Sequence, residues 1–183
     1  FNLAYVCAQL GDRVMLVDTD LHRPRQHKIL GVSNAQGVAN VLLGELSLEK
    51  AIIATRVTNL DFLASGRIAT GVHGLLDTKR MRELVGVLRE SYDIVLFDAP
   101  PIIGVSDASL LVREVDGVLL VIQHRKYPAS VSLRARSMIE NLGANLVGVI
   151  LNNINISRDY SYYYYHHHYY SYPQQGDKAA KKK

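Results

Sequence analysis

The chain has one cysteine, Cys7. It therefore cannot form an internal disulfide, and the natural reading is a reducing cytoplasm, with Cys7 packed on a helix face. No uninterrupted apolar run approaches the ~18 residues of a membrane span, and no signal peptide stands at the start. The net charge is +4, partly from Lys178 and Lys181 to Lys183. The basic residues are not interleaved with aromatics as a nucleic-acid surface requires, so that charge reads as a solvated terminus and nucleic acid is not expected as a partner. Internal repeats are absent. So is Gly-x-x-x-x-Gly-Lys-Ser/Thr, the loop whose N–H groups and lysine cradle phosphates. Nor does a capping residue or turn precede the first helical pattern. In it Leu3, Val6, Cys7 and Leu10 are spaced as one buried face, and Gly11 is a fitting stop. The expectation is a fragment whose natural start has been cut away.

What is present is ample for one domain. At 183 residues and 48% hydrophobic content the chain can bury a real core. Five short apolar runs read as buried strands: Arg13 to Asp18, Leu60 to Ala64, Asp93 to Asp98, Gly117 to Gln123 and Leu146 to Leu151. Helical patterns separate most of them, at Val38 to Leu43, Leu75 to Ser91, Ser106 to Val115 and Ala129 to Leu142. In the second of these, Leu76, Met81, Leu84, Val85 and Leu88 are the expected core residues. Runs apolar on both faces and alternating with helices predict an α/β fold, a doubly wound and mainly parallel sheet covered on both sides.

Each strand gives way to polar residues at its carboxyl end: Asp18, Ser65-Gly66, Asp98, Gln123-His124 and Asn152-Asn153. Ligands of open α/β sheets bind outside those ends, so a polar site is expected along that rim. Two carboxylates, Asp18 and Asp20, stand two residues apart where the first strand stops, and Asp98 repeats the arrangement on the third. Strand-end carboxylates suit Mg²⁺, which takes oxygen ligands, keeps waters and bridges to phosphates. A carboxylate there also serves to accept a hydroxyl proton during phosphoryl transfer.

Past Arg158 the composition changes. Eight of the eleven tyrosines, Tyr160, Tyr162, Tyr163, Tyr164, Tyr165, Tyr169, Tyr170 and Tyr172, crowd into thirteen residues. No core requires such a cluster, whereas hydroxyls on a flexible tail are within reach of a phosphate donor. His166 to His168 interrupt the run and read as part of the same low-complexity segment. The expected organisation is a nucleotide-binding domain over 1–157, which the family resemblance given next implies is without its first strand and phosphate loop, and a Tyr-rich, Lys-ended flexible tail over 158–183.

Asp18-Thr-Asp20-Leu-His-Arg23-Pro24, followed by His27 and Gly31, resembles the second Walker motif of bacterial protein-tyrosine kinases. Tyr92 to Pro101 with Asp107-Ala108 and Asp116-Gly117 resembles their Walker B region, and Gly37 to Gly44 is similar to the short helix between the two. The resemblance covers nearly the whole chain. It implies a P-loop-type autokinase of exopolysaccharide and capsule export that uses ATP and Mg²⁺. It also implies that Asp18 and Asp20 divide a metal and a catalytic-base role, and that Asp98 holds Mg²⁺ through water. Arg23 contacts a phosphate or a neighbouring subunit, or is a surface cation. Asn152 meets the nucleotide base or ribose, or forms a strand-end turn. The tail tyrosines are the acceptors. The implied partners are further copies of the chain phosphorylating one another's tails, a membrane-bound polysaccharide co-polymerase or activator, and a tyrosine phosphatase. The implied location is the cytoplasmic face of the inner membrane. The family's phosphate loop lies just before the helix that begins here at Phe1. The stretch Arg67 to Gly74 departs from the family's Asn-Pro-containing segment, so no contact is carried onto it. Two other readings remain: a partition- or septum-type ATPase switch, and a non-enzymatic scaffold phosphorylated by another kinase.

Overall fold

The computed structural model of the protein describes residues 1–67, 74–76 and 79–155. Its centre is β1 (Val14–Asp18), all five residues of which are buried. Successive side chains of a strand point to opposite faces, and here each face meets its own core. Val14 and Leu16 join Ala4 and Ala8 of α1 (Asn2–Gln9) and Leu60 and Phe62 of β3 (Leu60–Leu63). Met15 and Val17 join the opposite layer, made by α3 (Val38–Leu43), α5 (Lys79–Ser91) and α6 (Ser106–Leu111) through Val38, Leu42, Met81, Leu84, Leu88 and Leu111. Burial on both faces is why the strand reads as an unbroken apolar run.

β1 pairs in parallel with β3 on one side and with β4 (Ile94–Asp98) on the other, in a register that sets Asp18 opposite Asp98. A short edge strand, β2 (Ile52–Ala54), runs antiparallel to β3 after α4 (Leu48–Ala51), and the sheet order is β2-β3-β1-β4. β2, α4 and α2 (Gln26–Leu30) go beyond the sequence expectation. Each is five residues or fewer, too short for a periodicity to register. β5 (Val118–Gln123) and β6 (Leu146–Asn152) pair in parallel as a second sheet, with α7 (Ala129–Asn141) against both.

Three expectations need correction. The buried face of α1 is Ala4 and Ala8; Leu3, Val6 and Leu10 are exposed, Leu10 by 79%. Small side chains let the helix lie close to the strands, which turns the larger ones outward. The helix expected from Leu75 is described only from Lys79, with Leu75 and Leu76 in a turn before it. Finally, β5 and β6 are not covered on both sides. Val121, Val147, Val149 and Leu151 are exposed, although α7 packs on this pair.

At the amino ends of the strands the sheet is fastened by polar contacts. The guanidinium of Arg13 meets both oxygens of Asp93, with Nη2 2.8 Å from Oδ1 and Nε 3.1 Å from Oδ2. Beside it, the Tyr92 hydroxyl donates to Asp61 Oδ2 at 2.9 Å. No helix among the described residues is long and apolar enough to cross a membrane.

Candidate functional site at the carboxyl rim

Beyond Asp18 the chain turns off the sheet and is held to its neighbour at once. The N–H and hydroxyl of Thr19 both donate to the Asp98 carbonyl, each at 2.9 Å. Two carboxylates then organise the following loop. Asp18 Oδ1 accepts from the Asp20 N–H at 3.2 Å, and Oδ2 accepts from the N–H groups of Arg25 at 3.2 Å and Gln26 at 3.1 Å. Asp20 Oδ1 accepts from the N–H groups of His22 at 3.2 Å and Arg23 at 2.9 Å. The Asp-x-Asp spacing thus builds two nested turns at the strand end.

Asp18 has no exposed surface, whereas Asp20 and Asp98 are half-buried. Burial pushes the Asp18 carboxyl above the usual carboxylate range; the N–H of Gln26 opposes this, the nearby Asp98 adds to it, and the N–H groups of Asp20 and Arg25 oppose it. Two carboxylates at the ends of paired strands therefore form a like-charge site whose repulsion a cation would relieve. Among the described residues no cluster of three or more His, Cys, Asp or Glu side chains could hold a metal. Mg²⁺ does not require one, since it is commonly bound by one or two carboxylates, waters and the substrate's phosphates. The donor set here fits that pattern.

Other expected site residues lie further out. The Arg23 side chain is exposed on the loop. Asn152 is exposed at the end of β6, and its Oδ1 accepts the N–H of Asn153 at 2.9 Å, a residue with φ of 60°. The strand-end turn is thus the role seen for Asn152. With Asp98 it also lines a cleft of about 1230 Å³ between β4 and β5, whose other walls include Val95, Phe97, Leu120 and Ile122. Asp18, Asp20 and Asp98 are brought together; Arg23 and Asn152 stand at the periphery. The eight tail tyrosines lie outside the described residues.

Sequence reasoning passed over two participants. Gln26 opens α2, where its Nε2 donates to Asp98 Oδ2 at 2.7 Å. His22 Nε2 lies 3.1 Å from Oδ2 of Asp107, a buried acid in the first turn of α6. No periodicity marks either residue; their position just after the Asp-x-Asp pair was the available signal.

The profile of the AAA domain family matches residues 1–146. Over 161 residues the chain is 38% identical to the tyrosine-protein kinase YwqD of Bacillus subtilis, covering 88% of this chain and 68% of that protein. Against the tyrosine-protein kinase etk of Escherichia coli the identity is 34% over 163 residues, covering 88% of this chain but 22% of the longer relative. The solved kinase domain of the Escherichia coli tyrosine kinase superposes with a TM-score of 0.80 at 34% identity, over 83% of this chain and 60% of that one. The septum site-determining protein MinD of Pyrococcus horikoshii, solved with Mg-ADP, superposes with a TM-score of 0.70 at 24% identity, over 86% of this chain and 64% of that one. This last likeness is one of fold alone.

Proposed function

This chain belongs to the AAA domain family and, within it, to the bacterial tyrosine-protein kinases, and on that premise we propose that it moves the γ-phosphate of ATP onto the tyrosines between Tyr160 and Tyr172. The observation that carries this reading is the register that sets Asp18 opposite Asp98 at the ends of adjacent parallel strands. Asp98 would hold Mg²⁺ through water, and the enclosed Asp18 beside it would add its negative charge to the site. When bound, the ion would supply neutralisation of the charge on the phosphate oxygens. Asp20 is the carboxylate that a tyrosine can approach, since Asp18 is enclosed by three N–H donors and has no exposed surface. The phenolic proton passes to Asp20 and the phenolate oxygen attacks the γ-phosphorus. The bond from that phosphorus to the β–γ bridging oxygen then breaks, leaving ADP. Arg23, exposed beside this carboxylate, meets a phosphate or a neighbouring copy. Asn152, which lines the same cleft as Asp98, meets the nucleoside.

The phosphate-cradling loop comes from a segment ahead of Phe1. β4 and β5 do not pair, and both line the cleft between them, which leaves a place for one more strand. The acceptors belong to neighbouring copies, whose tails each gain about −1.5 to −2 charges per phosphate and so repel one another. That cycle regulates exopolysaccharide or capsule polymerisation and export at the cytoplasmic face of the inner membrane. A membrane-bound co-polymerase or activator and a tyrosine phosphatase are its partners. The septum-type ATPase reading shares the strands and the carboxylates but leaves the tyrosine cluster without a use.

The test is phosphopeptide mapping after incubation of the protein, extended upstream through its loop, with ATP and Mg²⁺. Phosphotyrosine concentrated at Tyr160 to Tyr172, and its loss in a folded Asp98→Asn variant, are the expected results. Phosphate confined to serine, or to Tyr5, Tyr92 and Tyr127, would overturn the reading.

A further inference from the structure

Gln26 touches both strand-end carboxylates. Its backbone N–H donates to Asp18 Oδ2, and its side-chain Nε2 donates to Asp98 Oδ2. The residue is only 8% exposed, and its Oε1 is buried with no hydrogen-bond partner. Buried side-chain acceptors are nearly always satisfied by protein or by ordered water. The amide's orientation is set by its other end, because only the NH₂ can donate to a carboxylate. The orphan oxygen is therefore held beside Asp98 by a contact that forbids the flip.

We propose that Gln26 is a positioning residue of the metal site, its Nε2 locking the Asp98 carboxylate and its Oε1 accepting a hydrogen bond from a water of the bound Mg²⁺. This deepens the reading of Asp98 as a metal-side carboxylate and rests on it. The chemistry is consistent at each atom. A water bound to a divalent cation is a strong donor, and Mg²⁺ keeps several waters when it binds through one or two carboxylates. An amide supplies what a carboxylate could not, namely one donor for Asp98 and one neutral acceptor for the water. Groups that orient metal ligands in this way change metal affinity by about 10–100-fold when removed.

The experiment uses the protein extended through its phosphate loop, with Mn²⁺ as the probe ion, read by electron paramagnetic resonance in the presence of ADP. Gln26→Met keeps the length and the backbone N–H to Asp18 but removes both polar atoms. Its Mn²⁺ affinity is expected to fall about tenfold, while metal-free ADP affinity and the circular dichroism spectrum stay as in the parent. Excess Mg²⁺ is expected to restore its phosphorylation rate. Gln26→Asn, which draws the amide back by one methylene, is expected to lose affinity in the same direction, and it decides the matter if Gln26→Met does not fold. Asp98→Asn is the control on the underlying reading. If it leaves Mn²⁺ affinity unchanged, the metal role of Asp98 fails. If it abolishes binding while folded Gln26→Met or Gln26→Asn binds within about twofold of the parent, the role of Gln26 is overturned. An equal loss of metal-free ADP binding would likewise overturn it, as a general collapse of the rim.

Discussion

Gly37 is set by space rather than by backbone angle. Its φ of 173° is ordinary extended backbone, yet a Cβ there would lie 1.9 Å from the Ala64 carbonyl oxygen. The reason is the docking of α3 on the end of β3, where the N–H groups of Val38 and Ala39 donate to the carbonyls of Ala64 and Ser65 at 2.7 and 3.0 Å. Neither backbone segment can give way without breaking those bonds. Gly37→Ala is therefore expected to cost about 1–3 kcal/mol. Gly86, inside α5 with open space around it, makes the converse case. Gly86→Ala is expected to stabilise by about 0.5–1 kcal/mol through backbone entropy and helix propensity. Urea melts of the two variants check both signs, with the midpoint moving and the slope unchanged. Of this residue-scale detail, the rim acids and the short helix of Gly37 to Gly44 were legible from residue type. The role of Gln26 was not, since nothing local distinguishes a glutamine that meets a strand more than seventy residues away.

At the scale of elements, the amino ends of β1 and β4 are joined by Arg13 and Asp93, which are both largely exposed. The guanidinium and the Arg13 N–H hold the Asp93 carboxyl at about 2. An unfolded aspartate titrates near 3.8, so between those values the unfolded chain takes up the proton first. The pair's contribution is present above about pH 4 and disappears as the pH falls toward 2. Tyr92, pushed up to about 12 by burial and by its bond to Asp61, stays protonated throughout that range. Arg13→Ala is expected to lower the melting temperature at pH 7 and to flatten the decline between pH 4 and 2, so that the two proteins converge at the acid end. A gap that persists undiminished at pH 2 would point to lost packing of the Arg13 stem instead. Strand positions were readable because β1, β3 and β4 are apolar runs bounded by polar residues. The edge strand β2 was not, for three residues directly after a helix carry no alternation.

At the scale of the whole molecule, the central sheet and the β5–β6 pair are separate hydrogen-bonded units flanking one cleft. Under the proposal that a preceding strand fills it, residues 1–183 alone present unpaired edges on β4 and β5 and bind ATP weakly, because carboxylates without a loop of N–H donors and a lysine repel the triphosphate. Extension upstream by roughly one strand and loop, on the order of 20 residues, is expected to confer Mg²⁺-dependent ATP binding in calorimetry. It is also expected to slow amide exchange selectively along β4 and β5. Tight binding by residues 1–183 without the extension, or exchange that does not change, would refute the strand's place.

The sequence by itself determined the alternation of strand and helix, the polar rim and the family, because each is written in local pattern: apolar runs, their polar ends, and motifs of contiguous residues. Only the tertiary structure decided which carboxylate is enclosed and which is reachable, that α1 buries its alanines, and that the sheet stands in two parts. Those outcomes depend on which strands are neighbours, and neighbourhood joins Asp18 to Asp98 across eighty residues of chain. Burial, close approach and shared hydrogen bonds follow from that pairing.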